Sequence, residues 1–348
     1  MRNMRNNPFS LNFGSEPALF IPRYDEQNRI RETFASENPS SHIFMLMGAR
    51  GSGKTVLMTS VSHDICQEKN WIHIDLNSEG DLMNSLASQI YSITEEKYPR
   101  IKLNVSFNGL GISLEKEEKY YDIQTDIDRM LKTLDKKGIR VLITLDEASN
   151  SANIRLFTSY FQHCLREKLP VFLIMTGLFK NIRALQNNRS QTFLRRAPKI
   201  ELEPLNIRRI AMQYKDIFKL DDRESDEMAR LTGGYSYGFQ VLGYLVFEAG
   251  KKKPDKAILS EYMLNLEECS YEKIWEELSE GERRVARAIA ELPANSTVRE
   301  IREKIGIDSN NFSTYQNVLQ KSGILSKESA YGRVDFSLPF FREFVLGL

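Results

Sequence analysis

The chain has 348 residues and a mass of 40.2 kDa, more than one ordinary domain needs and enough for two or three. Its 48 Lys and Arg are balanced by 47 Asp and Glu, a formal net charge of +1. Bulk polybasic or polyacidic character is therefore excluded, and any nucleic-acid contact must come from a local patch.

With 41% hydrophobic and 27% charged residues, the chain can bury a full core and lacks the composition of a disordered one. No apolar run approaches the ~20 residues of a membrane span. The N-terminal Met-Arg-Asn-Met-Arg-Asn-Asn leads into no apolar stretch, so a cytoplasmic protein with no membrane partner is expected. Cys66, Cys164 and Cys269 are widely spaced and odd in number, which disfavours a disulfide framework or a zinc site and fits reduced thiols. Cys66 and Cys164 fall in apolar helical patterns and read as buried filler. His42, His63, His73 and His163 show no metal-ligand spacing and read as structural.

The chain reads as alternating strands and helices, then helices alone, then a small mixed module. Residues 42–47 form a short apolar run before a glycine, as a strand buried on both faces of a parallel sheet does. A helix over 54–68, a strand over 71–77 and a helix over 80–93 follow. Alternation around Asn108-Gly109, over 101–114, predicts a β-hairpin inserted at the rim of the sheet. Next come a helix over 121–134, a strand over 141–145, a helix over 154–168, and strands over 171–175 and 199–202. Strand–helix units of this length imply a doubly wound α/β domain. After Pro204 the pattern is helical, over 206–218, 223–231, 237–249 and 256–267. From about 278 a different module shows helices near 280–291, 298–304 and 310–321, then two candidate strands around Gly332. The run Gly250-Lys251-Lys252-Lys253-Pro254 reads as lysines closing a helix before a proline stop.

Gly48-Ala49-Arg50-Gly51-Ser52-Gly53-Lys54-Thr55 is G-x-x-x-x-G-K-T between a predicted strand and a predicted helix. Glycines let such a loop turn its N–H groups toward phosphate oxygens, and the helix N-terminus adds partial positive charge. Lys54 can reach the β- and γ-phosphates, and the Thr55 hydroxyl can ligate Mg²⁺. Val141-Leu142-Ile143-Thr144-Leu145-Asp146-Glu147 fits a strand that holds Mg²⁺ through Asp146 at its carboxyl end. Glu147 is the candidate general base for an attacking water; the alternative is an acidic pair complementing a helix N-terminus. No Asn-Lys-x-Asp stretch supports guanine. Leu231-Thr232-Gly233-Gly234-Tyr235 looks like the signature peptide of transporter-type ATPases, but it follows the Asp-Glu strand instead of preceding it.

On these motifs nearly the whole chain resembles P-loop ATPases of the AAA+ and STAND-related group. That group includes origin-recognition-like initiators and archaeal-type ATPases with a C-terminal winged helix. The resemblance implies ATP and Mg²⁺ as cofactors and slow hydrolysis of ATP to ADP and phosphate. It implies that Ile21 and Pro22, within Phe20-Ile21-Pro22-Arg23-Tyr24-Asp25-Glu26, lie against adenine. Thr176 matches the polar first sensor at a strand end, which contacts the γ-phosphate or the attacking water; a strand-end threonine satisfying a turn is the other reading. Asn77 matches the polar residue that restrains the catalytic glutamate, or equally a turn-forming asparagine. Arg195 or Arg196 stands where relatives place an arginine finger for a neighbouring subunit's γ-phosphate in a nucleotide-dependent homo-oligomer; arginines packing on an exposed loop are the other reading. Residues 233–239 correspond to the lid's second sensor, but without the arginine that true initiators carry there, which favours the archaeal-type or STAND-like relatives.

The C-terminal module resembles a winged helix-turn-helix. Thr297 is the N-cap of the middle helix, Ile305-Gly306-Ile307-Asp308 the turn, 310–321 the recognition helix and Tyr331-Gly332-Arg333 the wing tip. Asn310, Asn311, Ser313, Thr314, Gln316 and Asn317 offer polar groups to base edges. From Ser279 onward, however, ten Lys and Arg face nine Asp and Glu, a weak charge for binding phosphates. The expected architecture is an N-terminal segment on the adenine side (1–38), a doubly wound parallel-sheet P-loop ATPase core with a hairpin insertion (39–205), a helical lid (206–275) and a winged helix-turn-helix (276–348). Two functions are open. One is an ATP switch that controls assembly and duplex DNA binding. The other is a signalling or defence-type ATPase whose C-terminal module binds a protein partner.

Overall fold

Strands of Val, Ile, Leu, Phe and Met can be buried on both faces only where helices cover both sides of a sheet. In the computed structural model, which describes residues 6–12, 17–103, 122–327 and 332–348, that is the arrangement found. Strands β1 (Ile43–Met47), β2 (Trp71–Leu76), β3 (Arg140–Leu145), β4 (Val171–Gly177) and β5 (Lys199–Glu201) form one sheet in the order β2-β3-β4-β1-β5. The β2–β3, β3–β4 and β1–β4 pairs are parallel. The chain divides into two compact units. One comprises Arg23–Met47 and Leu57–Ile200; the other comprises Met1–Pro22, Gly48–Val56 and Glu201–Leu348.

In the sheet unit, alternate strand residues such as Met45, Ile74, Ile143 and Leu173 share one apolar cluster with α3 (Leu82–Lys97), α4 (Ile123–Asp135), α5 (Ala152–Arg166) and α6 (Phe179–Asn187). The intervening residues face the other way. There Phe34 of α1 (Tyr24–Ala35) meets Phe44 at 5.5 Å and Phe172 at 4.9 Å between ring centroids. Arg140 lies over Trp71 and Phe172 at 5.6 and 5.7 Å, and its Nη1 donates to the Phe34 carbonyl at 2.7 Å. The Gln27 amide of α1 donates to Ser60 of α2 (Lys54–Cys66) at 3.0 Å. Helices thus cover both faces, as the doubly wound reading requires.

The second unit is helical. Its first part, where the lid is expected, comprises α7 (Ile207–Phe218), α8 (Asp222–Arg230), α9 (Ser236–Glu248) and α10 (Lys256–Leu266), followed by a π-helical turn (Glu267–Tyr271) and α11 (Glu272–Glu276). The C-terminal module comprises α12 (Glu280–Glu291), α13 (Val298–Ile305), α14 (Ser309–Lys321) and α15 (Phe341–Gly347). One apolar cluster runs through lid and module. Phe9 joins it, with its ring centroid 5.9 Å from that of Phe218 and 5.5 Å from that of Phe239. A Cβ on Gly243 would lie 2.3 Å from that ring, so only glycine admits it. Thr297 caps α13, with its hydroxyl accepting from Glu300 N at 3.2 Å and the Glu300 carboxylate returning the contact. Gly306 ends that helix in the left-handed conformation (φ +62°), as an αL cap does.

Some expectations change. The hairpin over 101–114 lies outside the described residues apart from 101–103, which carry no strand. Around Gly332 the two expected strands reduce, among the described residues, to isolated bridges between Thr297 and Arg333 and between Leu325 and Phe336; Tyr331 is not described. Cys164 is buried as expected, but Cys66 is only partly so, and burial pushes their thiols up to about 12 and about 11. Among the described residues no helix is long and apolar enough to cross a membrane.

Two histidines of the sheet unit make its stability depend on pH. His42 stacks on Phe172 at 4.5 Å with Nδ1 3.0 Å from the Val171 carbonyl, and His73 Nε2 lies 2.9 Å from Thr144 Oγ1. Burial lowers both pKa values. The unfolded chain therefore takes up these protons first, near pH 6.5. Stability is full above that range and falls as the pH drops through it, by at most about 1.4 kcal/mol per pH unit for each ring. Urea unfolding near pH 7.5 and pH 5.5 should show the loss, and the loss should shrink in His42→Gln and His73→Gln.

Candidate functional site

After Met47 the chain enters the glycine loop and then α2. Gly51 and Gly53 take φ of +72° and +90°, conformations that a side chain would strain. A Cβ on Gly48 would lie 2.6 Å from Ser52 Oγ. Lys54 folds its ammonium back over the loop, 3.2 Å from the Gly48 carbonyl and 2.8 Å from that of Ala49. The Ser52 N–H donates to the Ala49 carbonyl at 3.2 Å. Thr55 is the second residue of α2.

Three successive loop carbonyls are held by the start of α9. The Tyr235 hydroxyl donates to Arg50 O at 2.7 Å, the Tyr237 N–H to Gly51 O at 3.1 Å and the Ser236 hydroxyl to Ser52 O at 3.0 Å. The approach is so close that a Cβ on Gly51 would lie 2.3 Å from Tyr235 Oη. Gly233 and Gly234, at φ +56° and +74°, turn the chain into this position, and Gly234 O accepts from Leu205 N at 2.7 Å. Sequence reasoning marked 233–239 as lid but missed these contacts. The C-terminal module also reaches the loop. The Arg50 guanidinium pairs with Glu277 at 2.8 Å, and a Cβ on Gly323 (φ +73°) would meet Ala49 Cβ at 3.0 Å.

In the sheet unit, β1, β4 and β3 lie side by side with their carboxyl ends at one edge, Met47 opposite Gly177 and Leu145 opposite Met175. Asp146 and Glu147 leave β3 at that edge. The wholly buried Thr176 hydroxyl donates to Asp146 Oδ1 and accepts from the Glu147 N–H at 3.2 Å. The same N–H lies 3.0 Å from Asp146 Oδ1, and Ala148 N donates to the Thr176 carbonyl at 2.7 Å. Glu147 is exposed and left-handed at φ 52°, a conformation that costs a non-glycine residue about 1–2 kcal/mol. Below it, Thr144 Oγ1 donates to Asp75 Oδ1 at 2.6 Å beside His73, a polar network with no signal in the sequence beyond a threonine inside an apolar run.

Ile21 is buried in the lid cluster, and the Pro22 carbonyl accepts from Arg209 at 3.1 Å. Asn77 forms a turn, its side chain accepting from Glu79 N at 3.0 Å and its carbonyl from Gly80 N at 3.1 Å. Arg195 and Arg196 end a 3₁₀ segment (Arg189–Arg196). Arg195 is fastened to Gln186 O at 3.1 Å and Asn187 Oδ1 at 3.3 Å, and Arg196 is exposed.

A family model described as a domain of unknown function, DUF8462, matches residues 269–345, from within the π-helical turn into α15. No curated protein matches the sequence. Among solved structures, the Walker-type ATPase of Pyrococcus abyssi superposes with a TM-score of 0.68 at 18% identity, covering 94% of this chain and 96% of its own. The ORC2 protein of Aeropyrum pernix in ADPNP–ADP complexes gives 0.63 at 14% identity, covering 97% and 96%. Its ADP form gives 0.53 at 13%, covering 97% of each chain. At such identities the likeness is one of fold: the chain has the doubly wound α/β fold of P-loop ATPases resembling origin-recognition proteins.

Two substitutions test the strand-end geometry. Glu147→Gly relieves the left-handed strain and, after the ~0.5–1 kcal/mol entropic cost of glycine, should stabilise the protein by up to about 1 kcal/mol in chemical unfolding. Gly177→Ala should do the opposite by about 1–3 kcal/mol, because its Cβ would lie 2.8 Å from Ile182 Cδ1 and 2.9 Å from the Ala148 carbonyl.

Proposed function

We propose that this chain is a slow ATPase switch. The observation that carries the reading is the glycine loop itself, with left-handed Gly51 and Gly53, carbonyls held away by α9 and Lys54 in place at the N-terminus of α2. That is the backbone form that binds a polyphosphate. The fold shared with ATPase structures, one of them solved with ADPNP and ADP, supports it.

In this reading Lys54 and the loop N–H groups bind the β- and γ-phosphates, and Ile21 and Pro22 flank adenine. Among the described residues no group of three or more His, Cys, Asp or Glu could hold a metal alone. Mg²⁺ binds through one or two protein oxygens plus substrate phosphates and water; Thr55 and Asp146 are the residues that would hold it. Mg²⁺ neutralises phosphate charge when bound. Glu147 orients and deprotonates the attacking water, Thr176 holds Asp146 and the Glu147 backbone beside it, and Asn77 is the residue that the resemblance assigns to restraining Glu147. Arg195 or Arg196 acts on a neighbouring copy when the chain self-assembles.

For the C-terminal module, duplex DNA is the first reading, carried by the exposed polar residues Asn310, Asn311, Ser313, Thr314 and Asn317 of α14. A second reading, a protein partner, is favoured by a specific observation. Lys327 is clamped by Glu201 and Glu203 at 2.7 and 2.6 Å, Lys304 pairs with Glu291 at 2.8 Å and Arg333 donates to Asn295 O at 2.7 Å. These cations are engaged within the chain and not offered to phosphates.

Lys54→Ala should abolish ATP·Mg²⁺ binding in calorimetry without unfolding the chain, whereas Glu147→Gln should keep the affinity and slow turnover by ~10²-fold or more. Affinity in Lys54→Ala within twofold of the parent would overturn the reading. Mobility-shift titration with ATP at ~50 mM salt, where phosphate contacts are favoured, decides between the partners: a shifted duplex supports DNA, and none supports protein.

A further inference from the structure

The lid touches the phosphate loop through the loop's backbone. A trans peptide holds its C=O and N–H in opposite directions. Fixing the carbonyls of Arg50, Gly51 and Ser52 therefore fixes the N–H groups of Gly51, Ser52 and Gly53 on the far side. The Ser52 N–H is used in a turn onto Ala49, so those of Gly51 and Gly53 are the two that the restraint presets for a ligand. Glycines sample both signs of φ when unrestrained, and a loop that must first be ordered gives up part of its binding energy.

Tyr235 is the residue built for this restraint. It is buried, its ring packs on Tyr237 at 6.2 Å and Tyr271 at 6.4 Å, and burial pushes its pKa up, so the hydroxyl keeps its proton. That proton goes to Arg50 O, while Ser270 Oγ, 2.7 Å from Tyr235 Oη, can donate to the tyrosine's own oxygen. Ser236 adds a second hydroxyl, on Ser52 O.

We propose that Tyr235 and Ser236 are positioning residues for phosphate binding, which hold the loop's carbonyls outward and so preset the Gly51 and Gly53 N–H groups for a nucleotide's phosphates without touching the nucleotide. The inference rests on the nucleotide-binding reading above and assigns the lid a role that an arginine-type sensor does not cover.

Tyr235→Phe removes one oxygen and keeps the ring. ATP and ADP should then bind about 5- to 10-fold more weakly in fluorescence titration, the change expected for one lost buried hydrogen bond, with kcat within twofold. Adenosine, which carries no phosphate, should compete as well against the variant as against the parent. Ser270→Ala leaves the Arg50 contact intact while disturbing the same pocket, and should keep ATP affinity within twofold. Parent-like ATP affinity in Tyr235→Phe would overturn the inference while the nucleotide reading stands. Equal losses in Tyr235→Phe and Ser270→Ala, or an equal loss for adenosine, would reduce Tyr235 to a packing residue and overturn it as well. A parent protein that binds neither ATP nor ADP would instead remove the nucleotide reading itself.

Discussion

A loop that presents N–H groups on one side must dispose of its carbonyls on the other, and a carbonyl shut away from water needs a donor. Within the loop, Lys54 and the Ser52 N–H serve the carbonyls of Gly48 and Ala49, but those of Arg50, Gly51 and Ser52 take donors from elsewhere. They come from residues about half the chain away, since Tyr235 and Arg50 are separated by 185 positions. Much of the helical unit is arranged around that need. Gly233 and Gly234 turn left-handed to deliver the start of α9, Gly51 lacks a Cβ where the Tyr235 hydroxyl comes closest, and the Tyr235 hydroxyl is itself backed by Ser270.

The sheet unit meets a related demand differently. At the carboxyl end of a parallel sheet, side chains leave the ladder and need polar partners of their own. Thr176, with no exposed surface, serves Asp146 through its proton and the Glu147 N–H through its lone pair. The backbone at Glu147 is thereby kept in a left-handed conformation that an exposed glutamate would not choose. Strain of this kind persists only where neighbours over-determine it. Gly177 completes the set, since no larger residue fits between Ile182 and the Ala148 carbonyl.

Features encoded by local pattern were legible in the sequence. The strands stood out because β1 and β4 are buried along their whole length and so read as unbroken apolar runs. The glycine loop stood out because its residue types match a pattern that phosphate chemistry explains. Thr297 was legible as a cap because the capping residue and its partner Glu300 are three positions apart. Helix α1 was not, because only Gln27, Ile30 and Phe34 of its twelve residues are buried. Phe9 was not, because its meaning lies in a bare patch at Gly243. The role of Tyr235 was not legible, since a hydroxyl that bonds a backbone carbonyl leaves no trace in the identity of the residue it serves.

The contact between Gly323 and Ala49 joins the C-terminal module to the glycine loop at a position that the loop's motif leaves open to any residue. A Cβ at 323 would come to 3.0 Å of the Ala49 side chain, so the sizes permitted at 49 and 323 are not independent. In evolutionary terms the two positions are expected to drift together. A C-terminal module taken from another protein can be grafted onto this loop only if it brings a residue without a side chain to the same spot. The apparent modularity of the chain is limited there by the volume of one methyl group.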